Sequence, residues 1–427
     1  MTVFSAEIRR GMLLRWSPLI AAAYLGIIFF LLDPWRGLWP ETSAAVTQPV
    51  VVFVIAGAMT ASYRGVKASE EENSDIFSVA SRADWKTDLI RTAALCTEAV
   101  GLYAALAVVP FLGTVVENPP GSPRISLWLL SALGLICVVS LSYAVGRLAP
   151  ARFTSLVAGV LSYCLVAFIP PDSALGLWVP ALTIVDRTPT DSAFMVKALL
   201  AAAGVLLACS SGTARKAMPG RHPRGQNSIS ATSRRVSCVL AATSAACLVF
   251  TVPLGSGTAM LEARAPDADS VVCDDSSGPK ICFWKDHASL LPQVASMAQH
   301  LEKVTAAITS HRAVYAEKGI DSQDEGIEVG YGGSAIWTGL INGALPPFRV
   351  CPAESQVQLE KRVAASTLAA TWVEVKVRGK SVLQGEYEYT GFDPTPEVKK
   401  LLKSSESEQK AQATQWVDVI SAKCGKV

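Results

Sequence analysis

Residues that could carry out acid–base chemistry or bind a metal are few and widely separated along the 427 residues of this chain. The four histidines are His222, His287, His300 and His311, and no two of them have the spacing of an H-E-x-x-H zinc site. No G-x-x-x-x-G-K-[ST] phosphate-binding loop and no G-x-S-x-G nucleophile motif occurs either. We therefore predict that the protein is not an enzyme and has neither a metal site nor a cofactor.

Glu98 and Lys197 lie inside apolar stretches, where a charge is costly unless it is paired or hydrated. Glu98, within LCTEAVGLY, is the carboxylate that the pattern most clearly buries, which makes it a candidate for a substrate path or a subunit contact. Arg91 is two helical turns away, which leaves a purely structural role open. Lys197 is expected near the outer end of its stretch, where a long side chain can extend to the membrane interface.

The cysteines divide between two environments. Six of the ten lie in apolar stretches, where a thiol behaves as a small hydrophobic group: Cys96, Cys137, Cys164, Cys209, Cys238 and Cys247. The other four follow the last apolar stretch, and an even number of cysteines in an exported domain indicates disulfides. Four cysteines allow three pairings. We favour Cys273–Cys282 with Cys351–Cys424, because the second bond would hold the chain end.

The stretch CFWKDH precedes an apolar pattern with steps of three and four residues. This pattern predicts an amphipathic helix of about 25 residues beginning near His287. Asp286 is placed to cap the first amide groups of that helix, and Phe283 and Trp284 are predicted to be core anchors. Farther along, TWVEVKVRGK alternates as a strand would, although a continuation of the preceding helix also fits.

Apolar stretches of membrane-spanning length occupy the first part of the chain. A helix needs about 20 apolar residues to cross a hydrocarbon core about 30 Å thick. The predicted spans are 16–32, 48–62, 89–115, 125–144, 153–169, 194–209 and 236–254. Charged residues make up 17% of the chain, against about 25% in a typical soluble domain. A basic balance is confined to one loop, so we expect no nucleic-acid partner.

Lysine and arginine are distributed unequally between the two sides of these spans. If the N-terminus is cytoplasmic, sixteen of them fall in inner segments and only Arg36, Arg124 and Arg187 fall in outer loops. Cytoplasmic loops of membrane proteins are enriched in these residues. We therefore predict a multi-pass plasma-membrane protein with a cytoplasmic N-terminus and, after seven spans, an extracytoplasmic C-terminal domain.

Two segments suggest contact with the inner membrane surface and with a cytoplasmic partner. FSAEIRRGMLL can form an amphipathic helix along the inner leaflet, or it can be a charged start that only sets the orientation. RGVKASEEENSDIFSVASRADWKTDLIR separates the second and third spans and is too long for a simple hairpin. Its apolar residues need a surface to pack on, which favours a short helix that binds a partner. The alternative is a solvated loop.

These two segments, in a chain with six spans before a basic linker, resemble the permease subunits of ATP-binding-cassette (ABC) exporters of the type-two class. The resemblance covers about residues 1–212 and implies that the long loop carries a coupling helix. By match of position, Glu70, Glu71, Arg82 and Trp85 would then dock onto a separate ATPase subunit. The segment 170–191 occupies the place of the short outer re-entrant helices of that family.

The predicted fold class is therefore an α-helical polytopic membrane protein with a mainly α, minor β, disulfide-bonded extracytoplasmic domain. Its predicted parts are a six-span permease-like domain (1–212), a basic cytoplasmic linker (213–235), a seventh span (236–254) and the extracytoplasmic domain (255–427). The seventh span and the outer domain depart from the usual permease pattern.

Three functions follow as hypotheses from this organisation. The first is an exporting transport subunit in the lipid bilayer, with a separate ABC ATPase subunit and pairing of two permeases, identical or different. The second is a non-transporting membrane sensor or assembly protein whose outer domain binds a ligand or partner. The third, a membrane-anchored hydrolase, is disfavoured because no catalytic motif is found.

Overall fold

A computed structural model describes the chain at residues 3–9, 11–32, 35–72, 84–151, 153–168, 187–217, 236, 238–245, 261–267, 269–275, 278–309, 314–320, 326–329, 333–348, 355–379 and 393–422. The chain forms two compact units, Met1–Ala263 and Arg264–Val427. The first unit is almost entirely helical, and the second combines helices with a small sheet.

The described residues of the first unit include the helices that we number α1 to α9. They are α1 (Val3–Arg9), α2 (Met12–Arg15), α3 (Ser17–Gly26, continued by a π-helical turn at Ile27–Leu31), α4 (Trp39–Thr47), α5 (Val50–Glu72), α6 (Asp84–Glu117), α7 (Ile125–Leu148), α8 (Thr154–Phe168) and α9 (Asp191–Ala217). The segment 238–245 is also helical. Strands β1 (Arg187–Pro189) and β2 (Leu261–Ala263) pair antiparallel, so the end of this unit is joined to the segment before α9.

Four helices among the described residues are long and apolar enough to cross a membrane: Trp39–Glu71, Trp85–Glu117, Ile125–Leu148 and Asp191–Arg215. The helix pair Glu7–Arg15 and Ser17–Leu31, bent by 45°, makes a fifth if it is one span. Apolar helices of this length define a helical membrane protein. The predicted fifth span corresponds to α8, which has only 15 residues. Most of the seventh lies outside the described residues, so seven spans stay a prediction.

Helix α7 lies between α5 and α9 and packs against both. A glycine permits its contact with α5, because a Cβ atom at position 146 would lie 2.0 Å from the carbonyl oxygen of Ser62. Aromatic rings fill the space between α3, α5 and α6. The ring centroids of Tyr24 and Phe53 are 5.4 Å apart, and those of Phe53 and Tyr103 are 5.3 Å apart. The core of this unit is therefore made of close backbone contacts and a few large rings.

The second unit is built on a three-stranded sheet. Strand β3 (Val271–Asp274) pairs antiparallel with β4 (Lys280–Trp284), which pairs parallel with β5 (Val314–Ala316). Its helices are α10 (Leu291–Thr305), α11 (Gly333–Ala344), α12 (Gln356–Arg378), α13 (Thr395–Leu401) and α14 (Glu406–Ser421). Cys273 and Cys282 are cross-strand partners and form the predicted disulfide. Cys351 and Cys424 lie outside the described residues.

Two of the expected elements differ from the structure. The predicted 25-residue helix is a 3₁₀ turn over Lys285–Leu290 followed by α10, which begins with Pro292 in its first turn and has 15 residues. The alternating segment after Thr371 continues α12 rather than forming a strand. A capping box at Ser355 starts this helix, and burial of Ala365, Ala369 and Trp372 on one face outweighs the β-propensity of the valines.

Candidate functional site

The first unit contains a charged cavity of about 190 Å³ between α1, α5 and α6. We call it the ionic cavity. Its lining includes six charged residues: Glu7, Arg64, Lys67, Glu71, Arg91 and Glu98. Local sequence explains the charges, because α5 becomes polar at its C-terminal end and α6 is polar at its N-terminal end. The two polar ends flank the segment 73–83.

Ion pairs connect α1 to both flanking helices at this cavity. Glu7 of α1 lies 3.9 Å from Arg64 of α5 and 4.0 Å from Arg91 of α6. Arg91 also donates to Glu71 at 2.6 Å, which joins the last turn of α5 to α6. The N-terminal helix and both ends of the long polar loop are therefore held by one group of charges.

Glu98 lies deeper in the cavity and is 5% exposed. Its Oε2 atom has no hydrogen-bond partner among the described residues. Gly11 covers the carboxylate closely, since a Cβ atom at position 11 would lie 2.2 Å from Oε1 of Glu98. The sequence-based interpretation of Glu98 as a buried intramembrane carboxylate agrees with this placement, and the carboxylate faces a cavity.

A second ionic group, which the sequence did not indicate, lies close to the first in α6. Asp88 accepts a hydrogen bond from Tyr143 at 2.6 Å, and Arg147 lies 3.2 Å from the same carboxylate. All three side chains are fully buried, with exposures of 0 to 1%. Ser69 of α5 donates to the carbonyl oxygen of Arg147 at 3.0 Å. We call Asp88, Tyr143 and Arg147 the buried triad; it joins α6 to α7.

The four predicted docking residues have different surroundings. Glu70 is exposed and accepts a hydrogen bond from Lys67 at 2.7 Å. Glu71 faces the ionic cavity, and Trp85 is half-buried beneath the ammonium group of Lys86, 5.6 Å from the ring centroid. Arg82 lies outside the described residues. The structure therefore brings Glu71, but not Glu70, into the cavity with Glu98.

Lys197 does not extend to the interface as expected. Its side chain is 3% exposed, and its Nζ atom has no hydrogen-bond partner among the described residues. The lysine lies on the face of α9 that packs against α7, near Cys137. The helix face, rather than the distance from the helix end, determines where this side chain lies.

The CFWKDH segment of the second unit forms a buried structural site. Phe283 and Trp284 are completely buried, as predicted. His287 is 2.6 Å from Glu317, whose second carboxylate oxygen accepts the backbone N–H of Trp284 at 3.0 Å. Asp286 lies in the first turn of the 3₁₀ segment and accepts a hydrogen bond from Arg264. Because both His287 and Glu317 are buried, this pair can hold the sheet to the 3₁₀ turn but cannot reach a substrate in solution.

The second unit also contains a larger cleft of about 620 Å³ between α11, α12 and residues 326–328. Its walls combine hydroxyl and amide groups with apolar surface; they include Thr338, Asn342, Phe348, Ser366 and Thr367. The volume is in the range of small-molecule sites. Elsewhere in this unit, burial raises the pKa of the Tyr315 hydroxyl well above its usual range.

Within the described residues, no three His, Cys, Asp or Glu side chains are grouped so as to hold a metal ion. Comparison of the chain with protein-family models, curated proteins and solved structures gave no match. The class of protein that the fold defines is a helical membrane protein with a second compact unit. A more specific function depends on the geometry of the ionic cavity and the buried triad.

Proposed function

We propose that this chain is the membrane-spanning subunit of an ABC-type exporter that works with a separate ATPase subunit. In this proposal, segment 73–83 docks onto the ATPase, and the ion pairs of the ionic cavity transmit a displacement of that segment to the helix bundle. The observation that supports the proposal most directly is the set of ion pairs that joins α1 to the two helices flanking the segment.

The lengths of the two flanking helices favour a docking role. Trp39–Glu71 and Trp85–Glu117 have 33 residues each, or about 50 Å of helix at ~1.5 Å per residue. A hydrocarbon core about 30 Å thick accounts for only part of that length. The polar ends therefore extend past the membrane core and carry segment 73–83 to where a soluble subunit can reach it.

The buried triad supplies a connection from this region into the bundle. Asp88 lies one turn from the start of α6, and Arg147 lies near the end of α7. Because the triad is desolvated, separating its charges is costly, and α6 and α7 are expected to move together. A displacement of segment 73–83 would therefore be passed to α7, which packs against α5 and α9.

The orientation of the proposed transporter follows from the charge distribution. The ends of α5, α6 and α7 that carry the ionic cavity and the triad are the ends with most Lys and Arg, and this bias favours a cytoplasmic location for them. The second unit, with its disulfide, would then be extracytoplasmic, where disulfides persist.

Co-purification tests the proposal. The tagged chain, expressed in its source organism, is expected to bring down an ATPase, and the charge reversal E70K is expected to release it. The double variant K67E/E70K restores the local ion pair, so continued loss of the ATPase would show that Glu70 acts on the partner and not on the fold. The matched control is E406K/K410E, which swaps an equivalent exposed pair in α14.

The same experiment separates this proposal from the sensor hypothesis, which the cleft in the second unit favours. An ATPase that stays bound in E70K and in K67E/E70K would contradict the docking role of segment 73–83. A chain that never brings down an ATPase would favour a sensor whose cleft between α11 and α12 binds a ligand.

A further inference from the structure

One carboxylate of the ionic cavity has no ion-pair partner among the described residues. Each of the three cations in the lining is paired with another carboxylate: Arg64 with Glu7, Arg91 with Glu71, and Lys67 with Glu70, which lies outside the lining. None of these pairs includes Glu98. An ionised Glu98 is therefore a buried carboxylate without a paired cation among the described residues.

Glu98 has the geometry of an unfilled acceptor. Its side chain is 5% exposed, its Oε2 atom has no hydrogen-bond partner among the described residues, and it lines the cavity. Leaving a buried acceptor without a partner costs about 1–3 kcal/mol, and more when it is charged. A ligand that supplies one positive charge and at least one N–H or O–H donor would recover that cost.

An ammonium group fits these requirements better than a metal ion does. Ca²⁺ takes six to eight oxygen ligands and Mg²⁺ requires near-octahedral coordination, whereas Glu7 and Glu71 already form ion pairs with arginines. An ammonium group carries three N–H donors and one charge, so it can bond to Glu98 and leave its other donors to water. The cavity, at about 190 Å³, has room for several waters at ~30 Å³ each.

We infer that the ionic cavity binds a ligand with a primary ammonium group, held by the Glu98 carboxylate. The chemistry is the same for a small soluble amine and for the headgroup of phosphatidylethanolamine, and both have access to a site at the end of a membrane span. This inference concerns the isolated chain, so it does not depend on docking of an ATPase.

Titration of the purified full-length protein tests the inference without any ATPase. The protein, in amine-free detergent buffer, is heated with increasing methylammonium chloride, tetramethylammonium chloride or sodium chloride at matched ionic strength. Methylammonium is expected to raise the melting temperature with saturation. Tetramethylammonium lacks N–H donors, and the cavity offers a sodium ion too few free oxygen ligands. Neither ion is therefore expected to produce a saturable rise in the melting temperature.

Two variants identify the residue responsible. E98Q keeps the shape but loses the charge, and its apparent affinity for methylammonium is expected to fall about tenfold or more, as loss of a charge-assisted hydrogen bond implies. G11A keeps Glu98 but forces its carboxylate to move, and it is expected to weaken binding too. E117Q, at the far end of the same helix, is the control that should behave as the parent protein. Size-exclusion chromatography checks that each variant is folded.

Native mass spectrometry then distinguishes the two sources of the ligand. From nanodiscs with equal phosphatidylethanolamine and phosphatidylcholine, the parent protein retains the former selectively if the ligand is a lipid, and E98Q does not. Methylammonium binding without lipid selectivity indicates a soluble amine. Either outcome, selective retention of phosphatidylethanolamine or methylammonium binding alone, supports the ammonium site. An equal response of E98Q and the parent, an equal effect of tetramethylammonium, or a saturable effect of sodium would overturn it.

Discussion

Arg147 of the buried triad is interpreted differently from the sequence and from the structure. Arg147 contributes to the count of inner positive charges, yet it is 1% exposed and paired with Asp88. A desolvated ion pair is weak evidence for stability as such, but removing one partner leaves an uncompensated buried charge. Lys197 is also buried, and its ammonium group has no hydrogen-bond partner in the described part of the chain. The two residues therefore differ in environment although both carry a positive charge.

At this scale we predict that D88N destabilises the protein by about 3–5 kcal/mol, because it leaves Arg147 buried without its counter-ion. The double variant D88N/R147M is expected to be more stable than D88N alone, since it removes both charges. Thermal unfolding in detergent, followed by the monodisperse fraction on size-exclusion chromatography, measures the order. The exposed pair in α14 is the control, and E406Q is expected to lower stability much less than D88N does. Equal stability of D88N and the parent protein would contradict the pairing.

At the scale of the elements, the contact between α5 and α7 depends on a position without a side chain. A Cβ atom at Gly146 would lie 2.0 Å from a backbone oxygen of α5, and a backbone atom cannot rotate away as a side chain can. Small residues at helix contacts allow the close packing on which membrane bundles depend. A separation of these two helices would also disturb the hydrogen bond from Ser69 to Arg147.

We therefore predict opposite effects for two Gly-to-Ala variants in membrane helices. G146A is expected to lower thermal stability, because α5 and α7 must separate to admit the methyl group. G101A, where nothing lies within 4 Å of the added Cβ, is expected to be neutral or to stabilise α6 by up to ~1 kcal/mol. Both are compared with the parent protein in the same thermal assay. A loss of stability in G101A as large as that in G146A would argue against the helix contact.

At the scale of the whole molecule, the two compact units are predicted to work in different compartments. The first contains the apolar helices and most of the inner positive charges, and the second contains the disulfide between Cys273 and Cys282. After six spans the chain would return to the cytoplasm, so the second unit is extracytoplasmic only if the predicted span at 236–254 crosses the membrane.

Reporter fusions test that separation. Alkaline phosphatase fused after Gly225 is expected to be inactive, because the basic linker is predicted to be cytoplasmic, and phosphatase fused after Gly278 is expected to be active. Green fluorescent protein at the same two positions should give the reverse pattern. Signals from the same side at both positions would mean that 236–254 does not cross the membrane.

The apolar stretches and their approximate limits could be predicted from sequence, because hydropathy is a local property and the length of an apolar run gives the length of the helix. For this reason α5, α6, α7 and α9 were expected. The disulfide could be predicted because its two cysteines are close in sequence. The second span was predicted too short, since the sequence pattern did not show that Trp39–Thr47 continues the helical path into α5. The sequence left a strand and a continued helix open after Thr371, and the structure has the helix because packing on one face outweighed local propensity.

Only the tertiary structure decided which charges meet. Asp88 and Arg147 are 59 residues apart, and Gly11, before α2, lies against Glu98 of α6. No periodicity within one helix encodes such contacts, because they depend on how the helices are rotated and how closely they pack. The sequence by itself determined that this is a helical membrane protein with a polar loop between long helices. The packing of α1, α5 and α6 determined that Glu98 faces a cavity.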